Sequence, residues 1–145
     1  MNKTALHALA ATVALLTVLT FLTATVVAEL FFDTPAVAAV KHAIVLGLWL
    51  LIPALALTAG TGLALGRRRT GRLLDAKRRR MPFIALNGVL GLLPAALFLH
   101  YKAQAGAFDT AFYLVQGLEL VLGAIQAGLL TRNYLAGIRL RTGRS

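Results

Sequence analysis

The 145-residue chain contains no cysteine, which removes disulfides, thiolate metal sites, iron–sulfur clusters and cysteine nucleophiles together. Its one serine is Ser145, the last residue, so a serine hydrolase is excluded as well. No nucleotide-binding loop, dinucleotide fingerprint, HExxH zinc motif or nucleophile elbow occurs, and nothing in the chain marks an enzyme. Charge is scarce, at 14% of residues against about 25% in soluble domains. What is plentiful is apolar side chain, 59% of the residues, more than a soluble domain of this size can hide. The composition is that of an integral membrane protein.

Four long apolar stretches run over Ala8 to Ala28, Ala43 to Leu65, Met81 to Leu99 and Thr110 to Thr131, and only the last contains a charge, Glu119. Each is close to the ~20 residues that cross the hydrocarbon core as a helix. The runs are continuous and do not alternate, so the backbone polar groups must be satisfied within helices and not in a barrel. The expected fold is an all-α, four-helix transmembrane bundle in one integral membrane domain. Its helices are placed at about 5–29, 35–66, 80–105 and 109–138, with a basic loop over 67–80. The first run is long for a signal peptide, whose apolar region spans ~7–15 residues, and is read as a retained membrane helix. Thr34 and Pro35 read as a helix cap and first-turn proline, and Gly106 as the end of the third span.

The basic residues set the expected orientation. Of 15 Lys and Arg, 13 lie at the N-terminal tip, in the loop Arg67 to Arg80 or in the C-terminal tail, leaving only Lys41 and Lys102 on the other side. The positive-inside rule then puts both termini in the cytoplasm of a cell inner (plasma) membrane. No aromatic side chains interleave the basic ones, which argues against nucleic acid. Arg67, Arg68, Arg69, Arg72, Lys77, Arg78, Arg79 and Arg80 are expected to meet anionic lipid headgroups, each basic residue contributing about 1 kcal/mol near the surface. Phe31, Phe32, Tyr101, Phe108, Phe112 and Tyr113 gather at the opposite interface, where aromatic rings tolerate mixed solvation.

Within the spans, Gln116, Glu119, Gly123, Gln126 and Asn133 follow a spacing of three and four, which makes them one stripe of the fourth helix and its inward face. Asn87 and Gln126 sit at similar depth and are expected partners. Glu119 lies near mid-membrane, with no basic residue at its depth in the linear count. It is therefore expected to be a neutral acid donating a hydrogen bond, with the carbonyls freed by Pro53 and Pro94 as candidate acceptors. Glu119, Gln116, Asn87 and Gln126 form the candidate ligand or proton site.

His42 opens the second span and His100 closes the third, so both lie on one side. Facing imidazoles could hold a b-type haem or another metal, with Gly47 and Gly91 leaving room, although interfacial histidines also serve as plain polar anchors. The small-residue pairs Ala10 with Ala14, Gly62 with Gly66 and Gly123 with Ala127 allow close helix approach. Three functional expectations follow. The first is a non-enzymatic accessory or assembly partner in the membrane, as a homo-oligomer or with another membrane protein. The second is an oligomeric proton-linked carrier using Glu119, and the third an electron-transfer protein binding haem or metal through His42 and His100.

Overall fold

The computed structural model describes residues 1–67 and 70–143. Arg68 and Arg69, two of the expected headgroup contacts, lie outside the described residues. The described chain is all-helical, and four helices are long and apolar enough to cross a membrane. Helix α1 covers Lys3–Phe31 and α2 covers Thr34–Gly66; the third span comprises α3 (Arg72–Leu86), a π-helical turn (Asn87–Leu92) and α4 (Leu93–Gln104); α5 covers Thr110–Thr142.

Local chemistry explains each start. Asn2 caps α1 through its side-chain oxygen, which accepts from the Ala5 amide at 2.8 Å. Asp33, and not Thr34, caps α2, accepting from Ala36 N at 3.1 Å. Thr34 is already helical because proline is favoured in the first turn, next to it. Asp109 does the same for α5, accepting from Phe112 N at 3.0 Å. Gly106 closes the third span in the left-handed region, φ +69°, as expected of a helix-ending glycine. In α1, Thr12, Thr17 and Thr20 return their hydroxyls to the carbonyls four residues back, so these threonines mark no polar pore.

The expected loop over 67–80 is shorter than the composition suggests. Helix α3 begins at Arg72, because Arg, Leu, Ala and Lys are strong helix formers whether or not the lipid core has begun.

In chain order the spans form an α1–α2 hairpin and an α3–α5 unit, which are joined by extensive packing of α2 on α4 and of α1 on α5. Helix α2 lies along α1 and against α4, α1 also meets α5, and α3 packs on α5. Helices α2 and α3 are not close-packed neighbours. Two apolar clusters hold the halves together. One, at mid-height, joins Ala14, Val18, Leu51, Ala54, Ile84, Ala127 and Leu130. The other, at the end opposite the basic residues, joins Ala28, Val37, Leu99, Ala103 and Phe112. Phe112, expected among the interfacial aromatics, is instead fully buried, since its position puts it one turn from Gln116 on the inward stripe.

Candidate functional site

Lys41 and Glu119 form an ion pair inside the bundle, Nζ to Oε2 2.7 Å, with their side chains 1% and 12% exposed. Both helices start at the same end, and Lys41 is seven residues into α2 while Glu119 is nine into α5, depths of about 10 and 14 Å. The lysine stem covers the difference. The expected neutral, donating Glu119 is therefore corrected: its Oε2 accepts from a cation, and it makes no bond to a carbonyl freed by Pro53 or Pro94. A buried pair of this kind is poor evidence for stability, because removing two ions from water offsets their attraction. Intramembrane ionisable groups are functional candidates for the same reason.

The surroundings of the pair are incompletely satisfied. Both side-chain polar atoms of Gln116, together with Glu29 Oε1 and His100 Nδ1, are buried without a hydrogen-bond partner. Gln116 lies one turn before Glu119 and is only 4% exposed. Glu29, from the end of α1, is within Coulombic reach of both Lys41 and Glu119. Native proteins leave few such atoms unpaired, which makes this polar layer the candidate site. Val37 and Phe112, one turn beyond Lys41 and Gln116, belong to the apolar cluster at that end of the bundle and close the layer on that side.

From the other side the layer is reached by a cleft. A cavity of about 470 Å³ runs between the α1–α2 hairpin and the α3–α5 unit, from His7 and Lys77 at the basic end to the Glu119 side chain. Its walls are mostly apolar, with Leu48 and Leu55 of α2 facing Ile84 and Val89 of the third span. It exists because α2 and α3 diverge.

Asn87 and Gln126 do meet, Nδ2 to Oε1 2.9 Å. Asn87 also donates to the Leu122 carbonyl at 3.0 Å, and Gln126 Nε2 to the Ile84 carbonyl at 3.3 Å. They flank the π-helical turn, in which the Leu93 amide reaches back to Gly88 O. Pro94 follows directly and has no N–H to give, so the third span cannot keep a regular ladder there. Asn87 and Gln126 tie the start of this turn to α5, through the carbonyls of Leu122 on α5 and of Ile84 just before the turn. The inward stripe holds, with Gln116, Gly123, Gln126 and Asn133 all buried.

His42 and His100 come together despite their different heights, with ring centroids 5.4 Å apart and planes 30° from parallel. An iron held between two imidazoles needs one nitrogen of each ring pointing at it from opposite sides. Face-to-face stacking does not offer that. The room expected beside Gly47 and Gly91 is also taken: a Cβ at Gly47 would lie 2.5 Å from the Phe21 ring, and one at Gly91 2.8 Å from Leu122. The pair does not fit a haem, and among the described residues no group of three His, Cys, Asp or Glu could hold a metal ion.

Sequence reasoning missed the basic-end mouth of the cleft. His7 Nδ1 lies 3.1 Å from Thr58 O and 3.0 Å from Thr61 Oγ1, while its Nε2 lies 3.1 Å from Lys77 Nζ. A carbonyl can only accept, so Nδ1 carries the proton and Nε2 receives the lysine N–H. Gly62 belongs to this arrangement more than to helix–helix contact, since a Cβ there would stand 3.1 Å from the His7 ring. A histidine four residues into an apolar helix, facing a small-residue pair, was the available signal. The basic run is itself divided. Arg78 donates to Gly66 O and Arg80 to Asn133 Oδ1 at 3.3 Å, whereas Arg67, Arg72 and Arg79 stand exposed.

At the far end, outside the spans, Asp109 is bonded by Lys102 Nζ at 2.5 Å. That bond, and then the Phe112 amide, hold its carboxyl below the usual aspartate range. No family model, curated protein or solved structure matches the chain.

Proposed function

We propose that the chain is a small multi-pass membrane carrier in which the Lys41–Glu119 pair is the proton-sensitive element, with the basic end of the bundle in the cytoplasm. The observation that carries this reading is the position of the pair, at the closed end of a cleft that opens toward the basic end. Lys41 belongs to the α1–α2 hairpin and Glu119 to the α3–α5 unit, so the ion pair ties the two halves across the cleft. A proton arriving along the cleft adds to the Glu119 carboxylate and makes it a neutral acid. Lys41 is then left without an anion on the facing unit, and the tie across the cleft is lost.

The absence of cysteine makes this directly measurable. A single cysteine introduced at Leu55, inside the cleft, is labelled with a soluble maleimide in proteoliposomes at neutral and at acidic pH. Because only the thiolate reacts, the rate is taken relative to a control cysteine at exposed Arg72, outside the cleft; acidification is expected to change this ratio severalfold, and Glu119→Gln to hold it at the acidic value at both pH values. A labelling ratio that ignores pH, or a Glu119→Gln variant that behaves as the parent, overturns the reading.

A second reading, an accessory or assembly partner, is favoured by the exposed Arg67, Arg72, Arg79, Arg132 and Arg139 at the basic end. Neutralising these would release such a partner while leaving the cleft labelling unchanged.

A further inference from the structure

The cleft has a built entrance at its basic end, and its uncompensated charge is gathered there. Lys77 lines the mouth, and among the described residues its side chain is bonded only to His7 Nε2. An ammonium has three N–H donors, so two remain. Its location is prepared by the fold: His7 is fixed by Thr58 and Thr61 on α2, and Lys77 Nζ lies beside Gly137 of α5, 3.5 Å from where a Cβ would stand. Arg141 of α5 lines the same mouth. No carboxylate neutralises these cations, because both ion pairs among the described residues, Lys41–Glu119 and Lys102–Asp109, lie toward the opposite end. Asp75, the one acid in the basic segment, is exposed and does not line the cleft.

We infer that this mouth binds the phosphate of an anionic lipid, with Lys77 as the headgroup contact and one hydrocarbon chain lying in the cleft. The chain position follows from the walls, which are apolar from Leu55 and Ile84 to Leu48 and Val89, and from a volume of about 470 Å³, within the ~300–1,000 Å³ range of ligand pockets. Orientation follows from charge: Lys77 at the mouth attracts an anionic head, whereas at the closed end the cation, Lys41, is already taken by Glu119. Because α2 and α3 diverge, the chain has a lateral way in from the bilayer. This site deepens the carrier reading by giving its ligand a chemical class, but it needs only the cleft and Lys77, not a titrating Glu119.

The test is native mass spectrometry of the detergent-purified full chain with phosphatidylglycerol, with phosphatidylcholine of the same chains, and with inorganic phosphate. Phosphatidylglycerol is expected to bind at least tenfold more tightly than phosphatidylcholine. Lys77→Gln is expected to lose at least fivefold of that affinity, Lys77→Arg to keep most of it, and Ala59→Trp, which fills the cleft wall, to lose it with the cation intact. Arg72→Gln, exposed and outside the cleft, should bind as the parent does. Equal binding by the parent and Lys77→Gln, or no loss in Ala59→Trp, would mean lipid held only around the surface and overturns the site. Inorganic phosphate binding as tightly as the lipid overturns the chain in the cleft. Selective lipid binding together with a pH-independent Leu55 labelling ratio would sink the carrier reading alone, and the converse result would sink the lipid site alone.

Discussion

Removing either partner of the Lys41–Glu119 pair should destabilise the protein, but by unequal amounts. At 2.7 Å and an effective dielectric constant of about 20, the attraction between the two charges is roughly 6 kcal/mol. Taking each ion out of water costs several kcal/mol, so the intact pair contributes little net stability. Its disruption is another matter. Lys41→Met keeps the volume but leaves the buried Glu119 carboxylate without its counter-charge, and a loss of roughly 3–5 kcal/mol follows. Glu119→Gln keeps an amide oxygen for Lys41 and leaves Glu29 as its counter-charge, so about 1–3 kcal/mol is expected. The double change Lys41→Met with Glu119→Leu removes both charges and should return the protein to within about 1 kcal/mol of the parent or above it.

Equilibrium unfolding in mixed micelles with rising SDS reads these differences, and Trp49, the single tryptophan, is the reporter. The decisive quantity is the order of the single variants together with the coupling energy of the cycle. If Lys41→Met costs no more than Glu119→Gln, Glu29 is not the second counter-charge. If the double variant loses the sum of the single losses, the two side chains do not interact and the pair is not a tie between the halves.

Three further outcomes bear on other parts of the fold. Asn87→Ala and Gln126→Ala should each cost about 0.6–1.7 kcal/mol, and together less than their sum, measured in the same unfolding assay. Gly47→Ala should cost about 1–3 kcal/mol by overpacking against Phe21, with part of the loss recovered by adding Phe21→Leu. Asp109, titrated by NMR, should lose its proton below the usual aspartate value near 3.9, and Lys102→Gln should raise that midpoint. Since the folded value is the lowered one, the stabilisation from Asp109 is present above the ordinary value and fades as pH falls through the folded one; acid unfolding of the parent and Lys102→Gln should therefore converge at low pH.

Much of the architecture was legible because bilayer thickness converts directly into a count of apolar residues. Four runs near the required length left no other way to satisfy the backbone, and the spacing of Gln116, Gly123, Gln126 and Asn133 marked the buried face of α5. Helix boundaries were less readable. Arg72 to Arg80 is helical although it is polar, because helix propensity does not depend on the solvent that made the apolar runs visible. The π-helical turn at Asn87 to Leu92 left no periodic trace, as one widened turn shifts later positions by less than the ambiguity of a short apolar run.

The polar site was half legible for a physical reason that a residue count ignores. Depth reckoned along the chain treats each side chain as a point at its Cα, and on that reckoning Glu119 had no cation beside it. A lysine carries its charge on four methylenes, and the Cβ of Glu119, like that of every helical residue, leans toward its helix start, which here is the end nearer Lys41. Lys41 therefore acts at the depth of Glu119 from a backbone position nearer the surface. The same reach lets Lys77 meet His7 across the cleft from a segment read as a headgroup-facing loop. In each case the linear distance was correct and the location of the charge was not. Depth arguments for membrane chains are thus safe for aspartate, asparagine and short side chains, and fail for lysine and arginine within about two turns of a span's end.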